Sequence, residues 1–115
     1  MAVALQLKSI ECIDQNEFST DEPYLNFNGS KIWSGNMTQG QTADLSWMAP
    51  IQFNGSATLS LFEDDPGWWG FDKDDYLGTE TVYDWQHPGG SFTLTFDDDG
   101  IYKVTVDVLY SSGWV

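Results

Sequence analysis

Residues Ala57–Asp75 read ATLSLFEDDPGWWGFDKDD, two halves with opposite physical needs. From Ala57 to Phe62 the side chains alternate, with Ala57, Leu59 and Leu61 on one face and Thr58 and Ser60 on the other, the two-residue period of a strand with one buried side. From Glu63 to Asp75 the chain carries six carboxylates, one lysine and three aromatics. No buried core accommodates that stretch. Unit charges about 8 Å apart repel by roughly 0.5 kcal/mol even in water, and six carboxylates form many such pairs. The loop is therefore either solvated and screened, or it holds a cation. Oxygen-only ligands on a flexible loop suit a hard ion. Calcium, with about six to eight oxygens, fits them better than magnesium, which keeps its waters.

Outward from this stretch, the six tryptophans, five tyrosines and seven phenylalanines are interleaved with threonines and short polar breaks, and no window carries a 3.6-residue apolar period. The chain reads as all-β. Expected strands are Val3 to Ile13, Tyr24 to Asn28, Ser30 to Ser34, Thr42 to Met48, Ala57 to Phe62, Leu77 to Tyr83, Phe92 to Phe96 and Ile101 to Leu109. Turn residues such as Asn28-Gly29, Asn54-Gly55, Pro66-Gly67, Pro88-Gly89-Gly90 and Asp97 to Gly100 separate them. Eight strands at this spacing predict a two-sheet sandwich or a barrel, in a single domain over residues 1–115; an eight-stranded antiparallel β-sandwich is the simplest arrangement. The apolar phase shifts between Leu5, Leu7 and Ile10, Cys12, which predicts a β-bulge near Lys8-Ser9.

If each strand runs antiparallel to its predecessor, the connections alternate between the two ends. Asp14 to Glu22, Gly35 to Gln41, Glu63 to Asp75 and Asp97 to Asp99 then share one end, and they hold thirteen of the eighteen acids. The opposite end keeps chiefly Asp84. The candidate metal ligands are Asp14, Asp21, Glu22, Glu63, Asp64, Asp65, Asp72, Asp74 and Asp75. Asp97, Asp98 and Asp99 read first as a hairpin turn.

The formal net charge is −14, with four lysines and no arginine. That excludes nucleic-acid binding, which needs a basic face for phosphates, and disfavours anionic membranes. Cys12 is the sole cysteine, so the chain has neither an internal disulfide nor a cysteine metal cluster, and a buried place in the first strand is expected. The start, MAVALQLKSI, has no signal-peptide pattern, and no transmembrane segment is visible. Localisation and oligomeric state stay open.

The order of these features resembles that of C2 domains, the calcium-dependent lipid-binding β-sandwiches. Thr20-Asp21-Glu22-Pro23-Tyr24-Leu25 is similar to the acidic loop and strand start of that family. Leu59 to Asp65 (LSLFEDD) and Asp74-Asp75-Tyr76-Leu77-Gly78 are similar to its apolar strand with an Asp-x-Asp pair and its Asp-Phe-Ile-Gly element. The resemblance spans roughly residues 3 to 109 and implies a compact C2-like variant. It also implies calcium ligands at Glu22, Glu63, Asp65 and Asp75, with Asp14 or Asn16 upstream. The chain departs from the family pattern in three ways: glutamates stand where aspartates are usual, the interval from Asp65 to Asp75 is long, and a cationic lipid-binding patch is missing.

Trp68, Trp69 and Phe71 in the acidic loop either pack over its base or meet a partner. A zwitterionic membrane suits the negative charge, and a glycan or a protein surface suits the rings equally. Trp33, Trp47, Trp85 and Trp114 are expected in the core or on a sheet face. His87 has no serine or cysteine partner motif, so no enzyme is expected. The combined expectation is a non-catalytic, calcium-binding module whose aromatic loop meets lipid, with a carbohydrate-binding or protein-interaction module as the alternative.

Overall fold

A computed structural model describes residues 2–16, 20–64, 74–86 and 90–111. Among them nine strands form: β1 (Ala2–Asp14), β2 (Pro23–Phe27), β3 (Ser30–Ser34), β4 (Thr42–Asp44), β5 (Ile51–Gln52), β6 (Ser56–Glu63), β7 (Asp75–Tyr83), β8 (Ser91–Phe96) and β9 (Ile101–Ser111). They build two antiparallel sheets. One is ordered β4-β1-β9-β8 with β5 also on β1, and the other β3-β2-β6-β7. No helix among the described residues is long and apolar enough to cross a membrane.

The inward residues of both sheets make one core. β1 contributes Leu5, Leu7, Ile10 and Cys12, β9 contributes Tyr102, Val104, Val106 and Val108, and β6 contributes Ala57, Leu59 and Leu61. The expected bulge is present: Leu7 pairs with Val106 and Ser9 with Thr105, leaving Lys8 as the extra residue. That extra residue keeps Leu7 and Ile10 both buried, because one inserted residue reverses the alternation of faces. A matching irregularity in β7 leaves Leu77 and Gly78 both buried, with Leu61 opposite Gly78 and Phe62 opposite Tyr76. Gly78 has φ +140°, and a Cβ there would lie 3.3 Å from the Phe96 Cα. Only glycine tolerates that backbone and that approach.

The fourth strand differs from expectation. One strand was predicted from Thr42 to Met48; instead β4 ends at Asp44, and a ninth strand, β5, follows. The side chain of Asp44 stops β4: its Oδ1 accepts from the Ser46 N–H at 3.0 Å and the Ser46 hydroxyl at 2.6 Å. Such local bonds compete with the sheet ladder. Both short strands lie antiparallel on β1, β4 against Ser9, Ile10 and Glu11, and β5 against Ala4 and Leu5. They are two pieces of one interrupted edge strand, so the alternation of ends survives the extra element. Interruption also makes that edge a poor template for another strand.

Candidate functional site

The cross-strand pairs fix which connections meet. Asp14 faces Ile101, Tyr24 faces Ser34, Pro23 faces Glu63, and Glu63 faces Asp75. The connections after β1, β3, β6 and β8 therefore share one end. Of the candidate ligands, Asp14, Asp21, Glu22, Glu63, Asp64, Asp74 and Asp75 lie there, as do Asp97, Asp98 and Asp99. Among the described residues of the connections at the opposite end the one acid is Asp84.

Two of these carboxylates are buried, Asp21 at 0% exposure and Glu63 at 1%. Glu63 closes β6, and its Oε2 accepts the Glu22 N–H at 2.9 Å, while the Glu22 carbonyl accepts the Asp64 N–H at 2.9 Å. These bonds hold the connections after β1 and β6 together. The Asp21 Oδ2 accepts the Asn16 N–H at 2.6 Å and the Tyr102 hydroxyl at 2.5 Å, and its backbone exchanges two 2.9 Å bonds with Met37 of the third connection. Burial, and then the bond to Asp21, push the Tyr102 hydroxyl well above the usual phenol range, so it stays a donor. Burial also raises the Cys12 thiol, which contacts the same hydroxyl. Cys12 occupies the buried strand position expected of it.

The connection after β8 packs on the one after β1 through Gly100. Its φ is +94°, and a Cβ there would lie 2.9 Å from the Asp14 carbonyl oxygen and 3.2 Å from the Asn16 nitrogen. The Asp98 N–H also reaches the Leu77 carbonyl at 3.1 Å. Beneath the acids runs an aromatic strip on the outer face of the β3-β2-β6-β7 sheet. Tyr24 stacks on Phe62 with centroids 5.3 Å apart, and Phe62 meets Tyr76 edge-on at 5.6 Å. The Tyr24 hydroxyl donates to Asp74, and the Lys31 ammonium lies 4.1 Å from the Tyr24 ring centroid. Burial, the bond to Asp74 and the charges of Asp74 and Asp64 push the Tyr24 phenol up to about 12. A cleft of about 280 Å³ opens here between Glu22, Tyr24, Lys31, Ser34, Gly35, Asn36 and Asp64.

Asp65, Trp68, Trp69, Phe71 and Asp72 lie outside the described residues, as do Glu17, His87 and Trp114. Among the described residues no three acidic, histidine or cysteine side chains gather as a metal cage. Sequence reasoning missed Tyr24, Lys31 and Tyr102, aromatic and cationic partners of the acids that no short motif marks. It also misplaced two tryptophans. Trp47 is 69% exposed and Trp85 70%, not in the core. Trp85 follows the end of β7 and stacks on the exposed Tyr83 at 5.5 Å, while Trp47 sits in the turn that Asp44 starts. Asp44-x-Ser46 was the available signal for that turn.

No family model matches the sequence, and no curated protein matches it. Solved structures do. The C2A domain of plant extended synaptotagmin 1 is 14% identical with a TM-score of 0.56, over 96% of this chain and 93% of that one. Human GIVD cytosolic phospholipase A2, in complex with methyl gamma-linolenyl fluorophosphonate inhibitor and terbium chloride, is 14% identical with a TM-score of 0.54, over 96% of this chain and 17% of that one. The same human enzyme without these additions is 15% identical with a TM-score of 0.52 and is covered over 16% of its chain. At such identities the likeness is one of architecture: this chain is an antiparallel β-sandwich with the C2-domain fold.

Proposed function

We propose that the acidic end binds calcium and that the bound ion orders the loop between Asp64 and Asp74, so that Trp68, Trp69 and Phe71 dock on a zwitterionic lipid surface. The observation that carries this reading is the gathering of three acidic connections, those after β1, β6 and β8, at one end of a C2-type sandwich, held together by Glu63 and Gly100, with Asp21 tying in the connection after β3. Glu22, Glu63, Asp64 and Asp75 stand on or beside paired strand ends, and Asp65, Asp72, Asp74 and Asp14 complete the donor set. Their oxygen-only chemistry fits a hard cation. Bound calcium would replace repulsion among the carboxylates with bridging. In this reading Asp21 is a positioning residue, because its Oδ2 already accepts from Asn16 and Tyr102.

The role is non-catalytic. A net charge of −14 favours zwitterionic over anionic headgroups until calcium neutralises the end. Co-sedimentation with phosphatidylcholine vesicles in calcium, in magnesium and in EDTA tests the proposal. Calcium-specific binding that Trp68→Ala together with Trp69→Ala abolishes is expected. Equal binding in all three conditions, or none in calcium, overturns it.

A further inference from the structure

Beyond the acidic end, the sandwich carries an open groove of about 390 Å³ lined by Lys31, Ile32, Trp33, Ser34 and Trp47. It bridges the two sheets on their shared open side, with the edge strand β3 as one wall and the turn after β4 as the other. Its volume lies within the range of about 300–1,000 Å³ that small-molecule sites occupy.

Both tryptophans are held in place. The Trp47 indole N–H donates to the Asp44 carbonyl at 2.9 Å, which fixes the ring although it is 69% exposed. The Trp33 ring lies over Gly35, where a Cβ would come within 2.7 Å of its Cζ2 and 3.0 Å of its Cη2. Gly35 is thus the only residue type that leaves room for the ring in this pose. In β3 an irregularity between Leu25 and Asn26 of the partner strand makes Ile32 the extra residue, so Ile32 and Trp33 together face the groove. An exposed indole in a fixed orientation loses little conformational freedom when a ligand lands on it.

The chemistry of the lining selects the occupant. The two indoles offer apolar contact and Ser34 a polar one at the rim, while the Lys31 ammonium is committed to the Tyr24 ring. A net charge of −14 repels anions, and the lining holds no carboxylate to pair with a cation. Five lining residues around about 390 Å³ suit a single small-ligand unit. What remains is a neutral ligand with an apolar face and a hydroxyl rim. We infer that the Trp33–Trp47 groove is a carbohydrate-binding site, taking a pyranose unit of a neutral glycan chain by stacking on the indoles.

The test is native gel electrophoresis of the full chain in EDTA, which silences the acidic end, through gels containing hydroxyethyl cellulose, xylan, galactomannan or laminarin. Retardation by at least one of these is expected, with a tenfold or greater loss of affinity in Trp47→Ala and full retention in Trp85→Ala, which removes an equally exposed tryptophan elsewhere. Trp33 also packs against the core, so Trp47→Ala, with a melting temperature matching the parent, carries the decision. Absence of retardation by all four polysaccharides overturns the inference. So does an unchanged Trp47→Ala variant, an equal loss in Trp85→Ala, or Trp47-dependent binding to phosphatidylcholine vesicles in EDTA without any glycan binding.

Discussion

Replacing Tyr102 by Phe isolates the bond on which the first acidic connection rests. The ring is fully buried, and its hydroxyl donates at 2.5 Å to Asp21, whose side chain is also fully buried. Phenylalanine keeps the packing and removes the donor. A hydrogen bond to a charged group contributes about 1.5–3 kcal/mol, and a buried acceptor that loses a donor is at the upper part of that range, so a destabilisation of about 2–3 kcal/mol is expected. For a chain of 115 residues the unfolding entropy is about 0.24 kcal/mol/K, or roughly 4 °C per kcal/mol. The midpoint should therefore fall by about 8–12 °C in a calorimetric or circular-dichroism melt in EDTA. A double-mutant cycle with Asp21→Asn should return a coupling above about 1 kcal/mol. A fall below about 2 °C, or additive single effects, would refute the reasoning that this bond organises the loop.

Gly78→Ala places a Cβ 3.3 Å from the Phe96 Cα at φ +140°. A loss of about 2–4 kcal/mol follows from backbone strain and contact together, measurable by urea unfolding; a change below about 1 kcal/mol would contradict it. Alkaline stability follows from the tyrosines. Tyr24 is raised from 10.0 to about 12, and Tyr102 is raised too. A group raised in the fold contributes stability that is complete below its unfolded value and is lost as pH climbs toward the folded one. Melting temperature should thus decline from about pH 10 upward, less steeply in Tyr24→Phe, and an unchanged slope in that variant would count against the Asp74 contact. Glu63→Gln keeps an oxygen for the Glu22 N–H but removes the charge. It should melt within a few degrees of the parent in EDTA and need at least tenfold more calcium for the same stabilisation; an unaltered calcium titration would remove Glu63 from the site.

Much of this architecture is legible in the chain because alternation is a strong signal wherever one face is buried. Ala57 to Phe62 announces β6, and the shift of phase at Lys8-Ser9 announces the bulge in β1, since Leu5, Leu7, Ile10 and Cys12 must all point inward. The sharing of an end by the acids followed from strand order alone. The interruption of the fourth strand did not, because Ser46, Trp47 and Met48 carry a strand-like pattern and the Asx turn at Asp44 wins locally. Exposure of Trp47 and Trp85 was illegible for a related reason: indole size argues for burial, whereas position in a turn decides otherwise. The roles of Tyr102 and Tyr24 depend on residues 81 and 50 positions away in sequence from their carboxylate partners, contacts that only the assembled sandwich brings about.

Calcium at the acidic end is what the proposed function stands on. A thermal melt of the intact chain in EDTA, then through a calcium titration with magnesium as the control for charge screening, tests it most directly. Ligand binding to the folded state alone raises stability by about 2.7 kcal/mol at a hundred times the dissociation constant, which at roughly 4 °C per kcal/mol is a rise of about 11 °C. A calcium-specific rise of that order is expected, lost in the Asp65→Ala, Asp75→Ala double variant. No rise, or an equal rise with magnesium, would contradict it and leave the acidic end a solvated cap.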